Sequence, residues 1–309
     1  MTQNTAPPSP FQALADLPET LTVGLVQSVA RPGTTDEAIR WNVQEMGQLI
    51  YEAARRGAEV VILPEYWPFG FIPAERLHAI AEVVPSGPLS SFLIEKARQH
   101  HIYVCGGTIC ERGNEDKIYN TDLFIDPSGH LIGRHRKVNL YSPLGEDQLF
   151  AAGDDFSVVQ TAFGNVGVMT CYDGDFPETS RLLRLRGAHI MFQVAAYESP
   201  LESWWQVLYA AQALANSVWL VQVGLAGNYQ WFGADVHCFG MSRVVAPTGD
   251  VVDTGTYYPA NTPQEQMQSE VKVVKLDYRR ALIRARAQQD CLVFDRRPDL
   301  YAALAAPPE

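Results

Sequence analysis

Apolar runs and amphipathic stretches alternate along the chain. Thr22 to Val29 is nearly continuous in apolar character, the pattern of a strand buried on both faces, and Glu59 to Leu63 repeats it. Between them, Asp36 to Arg56 predicts a helix, with Thr35 or Thr34 placed to cap its start and Gly57 to stop it. Pro88 to Gln99 predicts another helix, and strands follow at Ile102 to Thr108, Tyr119 to Ile125 and Leu131 to Arg136. Ser157 to Thr161 and Val166 to Thr170 flank Gly164-Asn165, which reads as a hairpin turn. A helix over Pro177 to Arg186, a buried strand over Ile190 to Val194, a helix over Glu202 to Asn216 and a strand over Val218 to Val223 continue the alternation. Strands at Val244 to Ala246, Val251 to Thr254 and Val271 to Leu276 end it. Buried strands separated by helices predict a layered α/β protein.

Composition changes this picture little. At about 150 residues per domain, 309 residues leave room for two, but no linker divides the middle and one domain over 21–285 is expected. Residues 1–20 are rich in Pro, Thr and Gln, lack the basic and apolar segments of a signal peptide, and read as a mobile tail. A hydrophobic content of 47% supports a large core, and a net charge of -11 disfavours nucleic acid and anionic membrane as partners. The basic clusters, Arg134 to Lys137 and Arg279 to Arg286, are short. No apolar run approaches the roughly 18 residues of a membrane helix. The five cysteines show no metal or redox-pair spacing, so reduced thiols and a cytoplasmic location are expected. The histidines have no metal-ligand spacing and there is no Gly-rich phosphate loop, so neither metal nor other cofactor is expected.

The candidate chemistry centres on Cys171. Asn165 to Thr170 reads as a buried strand that stops at this thiol; the turn Asp173-Gly174-Asp175 follows, and Pro177-Glu178 opens a helix. A thiol facing the positive end of a helix sits where a thiolate is favoured, although a free cysteine at a strand end also packs well as a small hydrophobe. Glu65 follows the apolar run Val60-Val-Ile-Leu-Pro64, and Lys137 ends the strand-like Leu131 to Arg136. Taken singly, Glu65 reads equally as a helix cap and Lys137 as a solvated surface residue. Together with Cys171 they place three reactive side chains at strand ends, where sites form in α/β architecture. A Cys–His pair, with His135 or His237 as base, is the rival reading of the nucleophile.

These residues resemble the nitrilase, or carbon–nitrogen hydrolase, superfamily. The matching segments are Leu63-Pro-Glu65, Arg136-Lys137, and Cys171 with its trailing Pro177-Glu178. Tyr119-Asn-Thr, Asp126-Pro-Ser-Gly129, Gly240-Met-Ser-Arg, Pro247-Thr-Gly249 and Arg296-Arg-Pro-Asp-Leu-Tyr301 are weaker echoes, so the resemblance runs from Leu21 to Tyr301. It implies a four-layer α-β-β-α sandwich. It also implies Cys171 as nucleophile, Glu65 as proton carrier, Lys137 with the Tyr172 backbone N–H as oxyanion donors, and Glu146 as a second glutamate orienting the lysine.

The reaction so implied is hydrolysis of a non-peptide carbon–nitrogen bond through a Cys171 thioester. Nitrilases of the family usually carry Trp then Glu after the cysteine, whereas Tyr172 and Asp173 stand here, so the pattern is closer to the amidase branches. The expected substrate is a small neutral amide, converted to carboxylic acid and ammonia. A nitrilase and an N-carbamoyl amine or amino-acid amidohydrolase are the alternatives, and a non-catalytic binding protein on the same fold is the alternative of another class. Family members that bind a carboxylate place arginines shortly after the cysteine. Here Asp173 and Asp175 occupy that stretch, so a neutral or cationic amide is expected, although Arg181 and Arg184 on the following helix could contribute positive charge. Tyr66, Trp67, Tyr141, Tyr197 and Trp204 are candidate pocket walls, with Phe69, Phe71 and Trp231 as further aromatics. The apolar Leu292, Val293, Phe294, Leu300 and Tyr301 mark 286–309 as a C-terminal oligomerisation tail, and a homo-oligomer is expected.

Overall fold

The structure, a computed structural model, describes residues 12–305. In chain order it runs α1 (Gln12–Ala15), β1 (Leu21–Gln27), α2 (Asp36–Arg55), β2 (Val60–Ile62), α3 (Ala74–Ile80), α4 (Pro88–His100), β3 (Tyr103–Arg112), β4 (Ile118–Ile125) and β5 (Leu131–Arg136). It continues with β6 (Val158–Thr161), β7 (Gly164–Thr170), α5 (Pro177–Leu185), β8 (Ile190–Ala195), α6 (Tyr209–Asn216), β9 (Trp219–Gly224), β10 (Ala226–Trp231) and β11 (Ala234–Phe239). The chain then forms β12 (Arg243–Val245), β13 (Val251–Thr254), β14 (Glu270–Leu276), α7 (Tyr278–Gln289) and α8 (Cys291–Phe294).

Two six-stranded sheets carry the fold, one in the order β14-β1-β2-β3-β4-β5 and the other β13-β12-β9-β8-β7-β6. Each has a parallel centre, β1-β2-β3 and β7-β8-β9, with antiparallel strands outside it. Strands β2, β8 and β9 are buried along their whole length, which is why they read as apolar runs, broken only by Gln193 in β8 and Gln222 in β9. The inner faces meet through Val23, Leu25, Ile62 and Phe124 on one side and Val168, Phe192, Val194 and Val221 on the other. Phe124 stacks on Phe192 with ring centroids 6.0 Å apart. Burial of each such side chain is worth roughly 1.5–3 kcal/mol, so this seam fixes how the sheets face one another. Helices α2 and α4 cover the first sheet through Met46, Ile50, Ala53 and Leu93; α5 and α6 cover the second through Leu183 and Ala213. The result is an α-β-β-α sandwich.

Thr35 caps α2, its hydroxyl accepting from Ala38 N–H at 3.2 Å, and Gly57 beyond the helix end has φ +88°. Other expectations need correction. The β6–β7 turn is Ala162-Phe163, since Thr161 pairs with Gly164; Gly164-Asn165 open the second strand. The β10–β11 hairpin and the short α3 were not foreseen: Gly227, Asn228 and Gly233 give β10–β11 the composition of a loop. The stretch 202–216 is a wide helical turn over Trp204–Leu208 leading into α6. The first eleven residues of the expected tail lie outside the described residues, but Leu14 and Leu17 are buried and the Arg279 guanidinium holds the carbonyls of Ala15 and Leu17. The expected domain end at 285 falls inside α7, which continues to Gln289.

Candidate active site

Glu65, Lys137 and Cys171 stand just beyond the ends of β2, β5 and β7. After β2 the chain must turn at once: Tyr66 is left-handed (φ +57°) and its N–H donates to Thr108 Oγ1 at 3.0 Å. Gly107 lets this turn form, because a Cβ there would lie 2.1 Å from the Pro64 carbonyl oxygen. Glu65 Oε2 accepts from Ala196 N–H at 2.8 Å, just past β8, so the carboxylate bridges the two sheets. Its Oε1 accepts from Lys137 Nζ at 3.0 Å and Asn120 Nδ2 at 2.8 Å. Lys137 Nζ also lies 2.7 Å from Glu146 Oε2. Glu146 accepts in turn from Asn120 Nδ2 (3.0 Å), the Tyr66 hydroxyl (2.8 Å) and Tyr141 N–H (2.7 Å). Glu65, Lys137, Glu146 and Asn120 are all buried.

Cys171 has φ +47°, a left-handed conformation that a side chain rarely adopts and that strained functional turns often contain. Its carbonyl accepts from Gln193 Nε2 at 2.7 Å and the Tyr209 hydroxyl at 3.3 Å. Asp173 fastens this turn to the segment carrying Lys137. Fully buried, its carboxylate accepts from Thr170 N–H on one side and from Val138 and Asn139 N–H on the other, and lies 2.8 Å from His135 Nε2. The rival Cys–His reading finds no contact to support it: His135 Nε2 is on Asp173, both His237 ring nitrogens are on Asn228 and the Tyr258 carbonyl, and neither ring is hydrogen-bonded to Cys171 among the described residues. Asp173 is bound to backbone N–H groups and does not line the cleft beside Cys171.

The electrostatics assign a resting state. Burial most strongly opposes the Lys137 charge, but Glu146 and Glu65 outweigh it and hold its pKa well above the usual lysine value. Two carboxylates against one ammonium leave a buried excess of negative charge. Burial, with Glu146 adding to it and Lys137 opposing it, raises Glu65 above the usual carboxylate range. Burial and then the Glu65 carboxylate push the Cys171 thiol well above its usual value, with Lys137 pulling the other way. The thiolate expected from the helix end is therefore not the resting form. A protonated thiol needs a base before it can act as a nucleophile, and Glu65, raised above the usual carboxylate range, is the candidate for that task.

Cys171 opens onto a narrow cleft of about 20 Å³, walled by Tyr141, Tyr172, Asp175, Tyr197, Glu198 and Leu201. A much larger concavity, about 1210 Å³ between α2, α3 and α4, contains none of the reactive side chains. Of the expected pocket walls, Tyr141 and Tyr197 line the cleft. Tyr66 does not line it but donates to Glu146. Trp67 is buried under the first sheet with its indole N–H on the Gly106 carbonyl, and Trp204 is solvent-exposed outside the cleft; the next residue, Trp205, packs against Tyr197 instead. Phe69, Phe71 and Trp231 pack together around Tyr66 as core. Arg181 and Arg184 turn toward the Ala215 and Asn216 carbonyls, away from the cleft. Asn120, Gln193 and Tyr209 escaped the sequence reading of the site, although Tyr119-Asn-Thr stood among the weaker echoes. Among the described residues no group of three or more His, Cys, Asp or Glu side chains is placed to hold a metal ion.

The carbon-nitrogen hydrolase family profile matches residues 22–274. The chain belongs to that family. A probable nitrilase of Schizosaccharomyces pombe is 28% identical over 87% of this hydrolase and 94% of its own length. The omega-amidase NIT2-A of Xenopus laevis is 31% identical over 90% of this chain and 96% of its own. Among solved structures, Saccharomyces cerevisiae Nit3, a member of branch 10 of the nitrilase superfamily, superposes with a TM-score of 0.75 at 26% identity, covering 88% of this chain and 94% of that one. The protein is thus a hydrolase acting on carbon–nitrogen bonds other than peptide bonds. No described helix is long and apolar enough to cross a membrane.

Proposed function

We propose that this hydrolase is a thiol amidase that converts a small primary amide to a carboxylic acid and ammonia. The observation that carries the reading is the Lys137 ammonium held between Glu65 and Glu146, its charge acting on the Cys171 thiol at the wall of the cleft. Cys171 Sγ attacks the amide carbonyl carbon as its proton passes to Glu65. The developing oxyanion is met by Lys137 Nζ and the Tyr172 N–H, donors of a kind each worth about 10²–10³ in rate. Collapse breaks the C–N bond, Glu65 returns the proton to the departing ammonia, and a thioester remains. Water then attacks the thioester carbonyl, giving its proton to Glu65, and collapse frees the acid and restores the thiol.

Relatives bear the names nitrilase and omega-amidase, so the test is a panel of amides and nitriles with ammonia measured and the organic product identified. Acid and ammonia from amides supports the reading. Turnover of nitriles alone overturns it.

A further inference from the structure

Resting on the amidase reading, we infer that the substrate of this enzyme carries a cationic ammonium group at the end of a short methylene chain, and that Glu198, assisted by Asp175, recognises it. The acyl part of any substrate has to enter the cleft at Cys171, because the sulfur is on its wall. What faces that part decides specificity. Two carboxylates do: Asp175, four residues past the nucleophile, and Glu198, three residues past β8. No arginine or lysine lines the cleft among the described residues. The nearest ammonium, Lys137, already answers two buried carboxylates.

The two acids are not equally engaged. Asp175 accepts the Tyr197 and Tyr209 hydroxyls at 2.5 and 2.7 Å, both on Oδ1, and no side-chain hydrogen bond is made to Oδ2 among the described residues. Tyr209 also reaches the Cys171 carbonyl, so part of the work of Asp175 is to brace the turn. Glu198 has the Tyr141 hydroxyl as its side-chain partner, with the charges of Glu65 and Lys137 also acting on it in opposite directions. Both are partly buried, and burial is the main influence raising each above the usual carboxylate range. A buried carboxylate without a cation is costly, and a ligand ammonium removes that cost. Leu201 adds an apolar side chain to the lining, and Tyr141, Tyr172 and Tyr197 add aromatic rings, groups that attract positive charge at their faces. An ω-carboxylate placed there would meet two like charges, and the Lys137 ammonium is already held between Glu65 and Glu146.

The test uses the full-length enzyme and ammonia release from three matched series: ω-amino primary amides of three to six carbons, alkyl amides of equal length, and ω-carboxy amides. The best amino amide is expected to exceed its alkyl counterpart at least tenfold in kcat/KM, with the carboxy series slowest. Glu198→Gln is expected to shrink that preference at least tenfold through KM, and Glu198→Asp to restore part of it; Asp175→Asn is the second variant. Alkyl amides turned over as well as amino amides, a preference for the carboxy series, or a preference unchanged in both Glu198→Gln and Asp175→Asn would each overturn the inference while leaving the amidase reading standing. If no amide reacts, the amidase reading falls. The subsite is then read by calorimetry on Cys171→Ala, where tighter binding of the amino amide supports it and equal binding of the alkyl amide overturns it.

Discussion

Lys137 Nζ lies 3.0 Å from Glu65 Oε1, and both side chains are buried. The pair does not neutralise the site, because Glu146 adds a second carboxylate at 2.7 Å from the same ammonium. Burial is the main influence lifting Glu65 above the ordinary carboxylate range, with Lys137 opposing it and Glu146 adding to it. Only ionised Glu65 can take the thiol proton, so kcat/KM should rise with pH along a limb displaced upward from the ordinary glutamate value of about 4.3. Glu65→Gln should abolish that limb and cost about 10²–10⁴ in rate. A wild-type profile flat from pH 4 to 8 would remove Glu65 as the base.

Cys171→Ala should reduce turnover by about 10⁴-fold or more while leaving the circular dichroism spectrum unchanged. Alkylation needs care. Cys105, Cys110 and Cys238 are buried, but Cys291 is exposed and its thiol competes for iodoacetamide, whereas the Cys171 thiol is held protonated. The expected result, in a Cys291→Ser background, is that loss of activity follows modification of Cys171 one for one. Activity surviving in Cys171→Ala defeats the thioester mechanism.

Removing the Asn120 side chain should also reach the chemistry. Its amide nitrogen donates to Glu65 Oε1 and Glu146 Oε1, fixing both carboxylates around Lys137. Hydrogen bonds to charged groups are worth about 1.5–3 kcal/mol, so Asn120→Ala should lower kcat roughly tenfold to a hundredfold with a smaller change in KM. An unchanged kcat would show that the two glutamates hold their positions without it.

The layered α/β class was legible because β2, β8 and β9 are wholly buried and so are written as apolar runs. The hairpin β10–β11 was not, since Gly227 and Asn228 give a strand the composition of a turn. In the site, Glu65 and Cys171 could be picked out because each ends an apolar segment, and Lys137 because it ends a strand-like one and lies in the Arg136-Lys137 motif. The roles of Asp173 and Asp175 could not be separated: they are two residues apart, yet one is sealed into a backbone clamp and the other faces the cleft. Trp67 and Trp204 failed as pocket walls for a related reason. Nearness in sequence to a reactive residue does not determine which side of the backbone a ring occupies.

Asp122, in the core behind the site, should make stability depend on pH. It is buried with Cys105 Sγ 3.5 Å from both its oxygens, and burial holds its pKa well above the usual aspartate value. The folded state therefore binds this proton more tightly than the unfolded chain does. Its contribution is complete below the unfolded pKa of about 3.9 and is lost as pH rises toward the folded pKa, at roughly 1.4 kcal/mol per unit. Asp122→Asn removes the dependence. Chemical denaturation should find the variant close to wild type at pH 4 and more stable at pH 7. Equal stability of the two proteins at both pH values would mean that Asp122 ionises freely in the fold.

The C-terminal segment leads to the last expectation, a homo-oligomer. Val293 enters the protein's own core, whereas Phe294, Leu300 and Leu304 are each at least 60% exposed. Together with α5 and α6 this segment borders a groove of about 630 Å³ that includes Leu182, Leu185, Leu292 and Tyr301. Apolar surface gathered in one place is unusual for a monomer, and a two-fold contact would cover the same patch on both copies. Light scattering at micromolar concentration should give at least twice the 34.3 kDa chain mass. Deleting residues after Gln289 should lower it, but that also removes Asp290, which pairs with buried Arg184 at 2.9 Å. Phe294→Glu with Leu300→Glu keeps that ion pair and is the cleaner variant, expected to yield the monomer with its fold intact. A wild-type protein that is monomeric and fully active at that concentration would leave the patch for another partner.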